Sequence, residues 1–248
     1  MFTDSHCHIT YGDYEDIVKI IKHAKENGVY RMINNGTDAV SNMEVLEISA
    51  KHKEILPALG IHPEYASDYK KTSIEFIEKN INKIIAIGEI GLDYHYENYN
   101  KDQQKELFEL QLKIAEKYKK PVIIHSRDAT EVTIEILKKY KNVKGVIHCF
   151  SGSLETAKIY LSLGYKLGIG GVLTFKNSKL HNVIEELPLE SFVLETDSPY
   201  LAPEPKRGEK NEPAYVKLVA EKICEVKRIS IEELSIIIEK NIHDIFDI

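Results

Sequence analysis

Short apolar runs alternate with amphipathic stretches along the whole chain, and this alternation limits the folds that are possible. About eight runs of aliphatic and β-branched residues have strand length, and each is followed by a stretch with helical periodicity. Val29–Ile33 and Ile84–Ile87 are typical runs, and Lys101–Tyr118 is the longest predicted helix. Strands that are apolar on both sides predict a parallel sheet covered by helices. The pattern therefore predicts an α/β fold, a single (β/α)8 TIM-type barrel over residues 1–248, with a doubly wound open sheet as the alternative.

Histidines and acids occur where the predicted strands end. His6 and His8 close the first strand, and because side chains alternate in an extended chain, they point to one side while Cys7 points to the other. The same placement is shared by five of the 10 histidines and by two acids: His6, His8, His62, His125, His148, Glu89 and Asp197. The C-terminal ends of barrel strands surround one cavity, so these side chains are expected to converge there. Their spread over the chain favours the barrel, because an open sheet gathers ligands at one switch point.

This set of imidazoles and carboxylates predicts a metal centre, because a dry pocket without a cation would leave its charges poorly compensated. Six of these residues are candidate ligands (His6, His8, Glu89, His125, His148 and Asp197), and one tetrahedral zinc ion binds only four ligands. Two divalent ions about 3.5–4 Å apart, bridged by a carboxylate and a hydroxide, use all of them. Glu89, from the middle of the circuit, is the predicted bridge. The two ions are assigned to the pairs His6 with His8 and His125 with His148.

The catalytic residues are predicted to be Asp197 and Glu89. Asp197 lies on the last strand, beside the first in a closed barrel, where it can touch a metal and take a proton from the attacking water. Mixed imidazole and carboxylate ligands suit several ions, so Zn²⁺, Mn²⁺ and Mg²⁺ all remain candidates for the two cofactor ions.

Seven blocks of the sequence carry a further signal because they occur in a fixed order. They are Asp4–His8, Gly60–Pro63, Gly88–Tyr94, His125–Ala129, His148–Gly152, Gly170–Phe175 and Glu195–Leu201. These blocks resemble the TatD family of metal-dependent deoxyribonucleases, a branch of the amidohydrolase-like barrels. The resemblance implies a TIM-type barrel with one or two metals that hydrolyses phosphodiesters in DNA, often from the 3′ end. The metal ligands that it implies are His6, His8, Glu89, His125, His148 and Asp197.

Contacts with the substrate are predicted for five residues: His62, Asp93, Arg127, Lys210 and Asn211. His62 either contacts a phosphate or begins a turn, and Arg127 either binds phosphate or pairs with a neighbouring acid. Asp93 is expected to orient a ligating imidazole. The sequence differs from the family pattern at Lys210, because family members usually carry arginine immediately before the asparagine that corresponds to Asn211. Lysine keeps the positive charge but loses the bidentate fork of arginine.

Composition narrows the function further. The formal net charge of -6 argues against a protein that coats nucleic acid. A nuclease remains possible, because bound cations supply positive charge locally and DNA is then the expected partner. Three cysteines without metal-type spacing predict a reducing, cytoplasmic location, and neither a signal peptide nor an apolar stretch of about 18 residues is visible. No membrane association and no obligate protein partner are expected.

Two other functions stay open. The metal chemistry also suits a hydrolase of another ester or amide, such as an aminoacyl-tRNA ester or a cyclic amide. A barrel that only binds or scaffolds, with vestigial metals, is the third alternative.

Overall fold

Eight parallel strands form the sheet in sequence order in the computed structural model, which describes residues 1–248. The strands are β1 (Phe2–Cys7), β2 (Val29–Asn35), β3 (Ile55–Leu59), β4 (Ala86–Asp93), β5 (Val122–Arg127), β6 (Gly145–Ile147), β7 (Tyr165–Ile169) and β8 (Phe192–Leu194). Each strand pairs in parallel with the next, which is the order of a TIM-type barrel and confirms the predicted fold class.

Helices connect the strands and cover the sheet. They are α1 (Ile17–Glu26), α2 (Ala39–Lys51), α3 (Lys71–Lys79), α4 (Lys101–Tyr118), α5 (Thr130–Leu137), α6 (Leu154–Ser162), α7 (Leu180–Glu186), α8 (Val216–Lys227) and α9 (Ile231–Phe246). Side chains cap the N-termini of two of these helices. The Asp38 carboxylate accepts a hydrogen bond from the Ser41 amide at the start of α2, and the Ser230 hydroxyl accepts one from the Glu233 amide at the start of α9. None of the helices is long and apolar enough to cross a membrane.

The last strand meets the first through backbone contacts just beyond β8. The Asp197 amide donates to the His6 carbonyl at 2.9 Å, and the His8 amide donates to the Ser198 carbonyl at 2.7 Å. Behind this seam the buried Asp4 carboxylate accepts both the backbone amide and the hydroxyl of Thr196, at 3.0 and 2.6 Å. These contacts place Asp197 directly beside the two histidines of β1.

Two strands are longer than the apolar pattern predicts. The strand that was expected to end at Ile87 continues to Asp93, and β5 continues to Arg127. Gly91 makes this possible, because its φ is +146° and a side chain at this position would overlap the backbone of His125. Polar residues near the ends of these strands therefore stay in register with each other, and Glu89 lies within β4 rather than after it.

Apolar residues fill the barrel below its carboxyl end. Six strands contribute one buried residue each to a cluster that also includes two residues of α9: Ile33, Ala58, Ala86, Ile123, Val146, Val193, Ile242 and Phe246. The helix thus packs against the interior side chains of the strands. Because this interior is filled, the polar cavity at the carboxyl ends opens on one side only.

Candidate metal centre

The polar side chains at the carboxyl ends of the strands meet in one cavity of about 530 Å³. Six of the seven side chains predicted from the strand ends line it: His8, His62, Glu89, His125, His148 and Asp197. The seventh, His6, is fully buried against them, with its Nε2 3.1 Å from Nε2 of His8. The convergence expected from the sequence is therefore present in the structure.

One group of donor atoms surrounds the two histidines of β1. Oε2 of Glu89 lies 3.5 Å from Nε2 of His6 and 3.4 Å from Nε2 of His8. Oδ1 of Asp197 lies 3.4 and 3.5 Å from the same two nitrogens. Donors on a tetrahedral ion with bonds of about 2.0–2.1 Å are about 3.3 Å apart. These separations fit one divalent cation.

A second group surrounds the other oxygen of Glu89. Oε1 lies 2.9 Å from Nδ1 of His125 and 2.8 Å from Nε2 of His148, and these two nitrogens are 3.0 Å apart. The two oxygens of one carboxylate thus face two different histidine pairs. This is the arrangement that a carboxylate bridging two cations requires.

Hydrogen bonds outside the cluster direct two of the imidazoles. Nδ1 of His8 donates to the Asn35 carbonyl at 2.9 Å, so its Nε2 faces the cluster. Nε2 of His125 lies 3.1 Å from Oδ2 of Asp93, so its Nδ1 faces inward. Asp93 therefore orients an imidazole, in agreement with its expected supporting role, and it also borders the cavity.

Opposite charges compensate each other in the buried cluster. Burial alone would raise the pKa of Glu89, but the imidazoles around it, above all His148, lower that pKa well below its usual range. Burial alone would lower the pKa of His8, but hydrogen bonds and charge from Asp197 and Glu89 raise it to about 10. Without a metal, protons on the imidazoles therefore balance the negative charge of the carboxylates. A divalent cation could replace these protons, and the imidazole and carboxylate donors suit such a cation.

Metal binding is expected to release protons and to become tighter as the pH rises. Below the raised pKa of His8 a cation must displace the imidazole proton, so affinity increases with pH through the neutral range. Calorimetric titration with Zn²⁺ at about pH 6.5 and about pH 8, in buffers of different ionisation heat, measures both effects. Equal affinities at the two pH values, with no proton released, would contradict this prediction.

His62 is neutral and presents an N–H group to the cavity. Burial lowers its pKa to about 3. Its Nδ1 accepts the Glu64 amide at 3.2 Å, which leaves the proton on Nε2, 3.6 Å from Oε1 of Glu89. The turn expected from the sequence is present, because His62 begins a 3-10 turn, and its contact with a substrate phosphate stays a prediction.

Arg127 extends to the mouth of the cavity, where its guanidinium is exposed. It makes no ion pair with Asp128, which instead binds His95 at 2.9 Å. The guanidinium carbon lies 5.6 Å from the ring centre of Tyr96. The alternative of a neighbouring acid as the partner of Arg127 is therefore not realised, and the charge remains free for a ligand.

The structure does not bring Lys210 or Asn211 to the cavity. Lys210 contacts the Asp13 carbonyl and lies 4.7 Å from the ring centre of Tyr14. Asn211 is fully buried, and its amide group donates to the carbonyls of Thr196 and Tyr200. In this structure Asn211 therefore supports the loop that carries Asp197, because its polar atoms are used by the protein.

Other residues of the site were not predicted from the sequence. Four tyrosines border the cavity: Tyr65, Tyr96, Tyr99 and Tyr200. The rings of Tyr96 and Tyr99 are 5.2 Å apart. Only the closely spaced tyrosines after β4 hinted at this group. Glu195, two residues before Asp197 in the sequence, lies fully buried beside His148 and was also missed.

Comparison with known proteins agrees with these observations. The family model for TatD related DNase matches residues 3–247. The chain belongs to the TatD family. Its relatives include YabD of Bacillus subtilis, named an uncharacterized metal-dependent hydrolase, which is 39% identical over 100% of both chains. YjjV of Escherichia coli K12, named in the same way, is 33% identical and covers 100% of this chain and 98% of its own.

Solved structures of TatD proteins have the same fold. The crystal structure of the E. coli TatD homologue YjjV matches with a TM-score of 0.93 and 32% identity, covering 100% of this chain and 98% of the other. A TatD family hydrolase of Entamoeba histolytica matches with a TM-score of 0.88 and 25% identity, over 99% and 97%. The predicted family is confirmed, and this TatD protein is a metal-dependent hydrolase.

Proposed function

We propose that this TatD protein is a deoxyribonuclease that hydrolyses phosphodiester bonds with two divalent cations. The main support is Glu89, whose two oxygens face separate histidine pairs. Paired cations suit displacement at phosphorus, because both the attacking and the leaving oxygen need stabilisation. Bound Zn²⁺, Mn²⁺ or Mg²⁺ would lower the pKa of water and neutralise charge on the phosphoryl oxygens.

The proposed ligands divide into two sets that share one residue. Glu89 belongs to both, through Oε2 on one side and Oε1 on the other. Asp197 belongs to the first set by its position beside the β1 histidines. The proposed ligands are His6, His8, Glu89, His125, His148 and Asp197. All six belong to groups of side chains that could hold a metal ion, and His62 also belongs to one of these groups.

The protein side chains have distinct roles in the proposed reaction. Asp197 accepts a proton as the water oxygen bonds to phosphorus, and it returns this proton to the oxygen that leaves when the P–O bond breaks. Its pKa is lowered, against the effect of burial, by hydrogen bonds from His6 and His8, so it is ionised and able to accept. His62 donates its Nε2–H to a phosphoryl oxygen.

The shape and rim of the cavity suit the end of a nucleic acid strand. The cavity is closed below by the packed barrel interior, so a chain end can enter while a continuous duplex cannot pass through. Arg127 offers a bidentate contact to a phosphate, and the exposed ring of Tyr96 offers a stacking surface. We therefore propose exonucleolytic cleavage, and the resemblance to TatD deoxyribonucleases makes the 3′ end the proposed point of attack.

Replacing Tyr96 by alanine is expected to weaken DNA binding without changing the chemical step. Stacking of a base on an aromatic ring contributes about 1–3 kcal/mol, so KM for single-stranded DNA should rise about 5- to 160-fold at similar kcat. Tyr96→Phe should behave like the wild type, because it keeps the ring. Steady-state kinetics on a labelled oligonucleotide measure this effect.

Tyr30 provides the matched control, because it is a similarly exposed tyrosine near the start of β2, at the opposite end of the barrel. Tyr30→Ala should leave KM unchanged. A Tyr96→Ala variant with wild-type KM would show that this ring does not contact the substrate.

A substrate panel tests the proposed function itself. Labelled single-stranded DNA, an aminoacyl-tRNA and a cyclic amide are incubated with the protein and Mg²⁺, Mn²⁺ or Zn²⁺. We expect stepwise shortening of DNA labelled at its 5′ end, and no products when a chelator is added. Intact DNA with cleavage of the amide or of the aminoacyl ester would replace the proposal with the corresponding hydrolase. No turnover of any substrate would favour a binding role.

A further inference from the structure

Glu195 is a buried carboxylate without an obvious structural purpose. It follows β8 directly, and its side chain has 0% exposure. Oε1 accepts the Cys149 amide at 2.5 Å, but Oε2 has no hydrogen-bond partner. Burying a carboxylate with one oxygen unpaired is unfavourable by several kcal/mol unless a charge compensates it. A backbone amide alone does not supply that charge.

The compensating group is the imidazole of His148, which lies between two carboxylates. Its Nε2 faces Oε1 of Glu89 at 2.8 Å. Its Nδ1 is buried without a hydrogen-bond partner and lies 3.6 Å from Oε1 of Glu195. This separation is longer than a hydrogen bond, so the carboxylate acts on Nδ1 as a nearby negative charge.

The neighbouring strand leaves space for the Glu195 carboxylate. Gly168 lies in β7, and a Cβ atom built on it would overlap Oε2 of Glu195. Any larger residue at position 168 would displace the carboxylate from the imidazole. The barrel wall is thus shaped to admit an acid behind His148.

We propose that Glu195 is a positioning residue that keeps the proton of His148 on Nδ1 and its Nε2 lone pair directed towards the metal centre. His8 and His125 already have such partners in the Asn35 carbonyl and in Asp93. Glu195 gives His148 the equivalent support, and its negative charge makes the imidazole a more basic ligand. The inference depends on the proposed role of His148 as a ligand, and it adds a residue outside that ligand set.

Zn²⁺ affinity of the Glu195→Gln variant tests this inference. Glutamine keeps the volume and an acceptor for the Cys149 amide but removes the charge, so the metal-free protein should unfold at the wild-type temperature. Loss of such outer partners weakens metal binding about 10- to 100-fold. Competition with a chromogenic chelator measures the affinity without relying on activity. Thermal unfolding of the metal-free proteins identifies a purely structural effect.

Glu239 provides the control, because it is also a carboxylate with a buried, unpaired oxygen, but it binds Arg31 and Thr3 near the start of β1. Glu239→Gln should leave Zn²⁺ affinity unchanged. Wild-type affinity in Glu195→Gln would overturn the inference while leaving the proposed function intact. Absence of Zn²⁺, Mn²⁺ and Mg²⁺ binding by the wild type would overturn both.

A second measurement needs no folded Glu195 variant. In the Zn²⁺-loaded protein labelled with ¹⁵N-histidine, long-range ¹H–¹⁵N spectra show which ring nitrogen carries each proton. The signals that disappear in His148→Gln belong to His148. A proton on Nδ1 is the expected result, and a proton on Nε2 would overturn the inference.

Discussion

Glu89→Gln is expected to disturb both halves of the metal centre at once. The glutamine amide has one oxygen and one NH₂ group, so it cannot offer an acceptor to both histidine pairs. The Zn²⁺ stoichiometry should fall below that of the wild type. DNA hydrolysis should decrease by about 10³-fold or more, which corresponds to about 4 kcal/mol of lost transition-state stabilisation. Elemental analysis combined with kinetics under saturating metal measures both changes.

Glu64→Gln is the matched control for this change, because Glu64 is an exposed acid that borders the same cavity but is not grouped with the histidine clusters. It should retain the wild-type metal content. A Glu89→Gln protein that keeps the full metal content and activity would show that this carboxylate does not bridge two cations.

Asp197→Asn is expected to reduce kcat by about 10²- to 10⁴-fold while KM for DNA changes little, because a general base contributes about that factor. Asparagine keeps the shape and one oxygen near His6 and His8 but cannot accept the proton of water. The second histidine pair does not depend on this residue, so at least one metal ion should remain bound. Single-turnover kinetics with saturating enzyme isolate the chemical step.

Asp13→Asn serves as the control, since Asp13 is a half-buried carboxylate that also borders the cavity and binds the Thr10 hydroxyl. It should retain wild-type kcat. If Asp197→Asn kept wild-type kcat as well, the proton would have to leave through another group. If its activity returned at high metal concentration, Asp197 would act as a ligand alone.

The two variants differ in a way that separates binding from proton transfer. Glu89→Gln should lose metal and activity together, whereas Asp197→Asn should lose activity while one histidine pair still holds a cation. The geometry explains this difference, because Glu89 contacts both pairs but Asp197 contacts only the pair on β1.

Local patterns in the sequence were enough to predict the barrel and the residues that converge at its carboxyl end. Alternation of apolar runs with helical stretches predicts parallel strands, and parallel strands place all their carboxyl ends on one side. Histidines as distant as His6 and His148 could therefore be assigned to one cavity. The bounds of α4 also followed from local periodicity, since the predicted helix Lys101–Tyr118 is the one observed.

The division of the cluster into two histidine pairs, and the contacts that support it, depend on packing between strands. The orientation of Glu89 between two histidine pairs depends on how far β4 extends, which Gly91 and its contact with β5 determine. The apolar pattern cannot show this, because it ends where the polar residues begin.

Hydrogen-bond and charge partners that are far apart in the chain also cannot be predicted from local sequence patterns. Asn211 is used by the loop that carries Asp197, and Glu195 lies behind His148 only because β7 has a glycine beside it. Residue type predicts what a side chain can bind, but the packing of neighbouring strands determines which atom it meets. For this reason the metal-binding chemistry was readable from the sequence, while the direction of each imidazole was not.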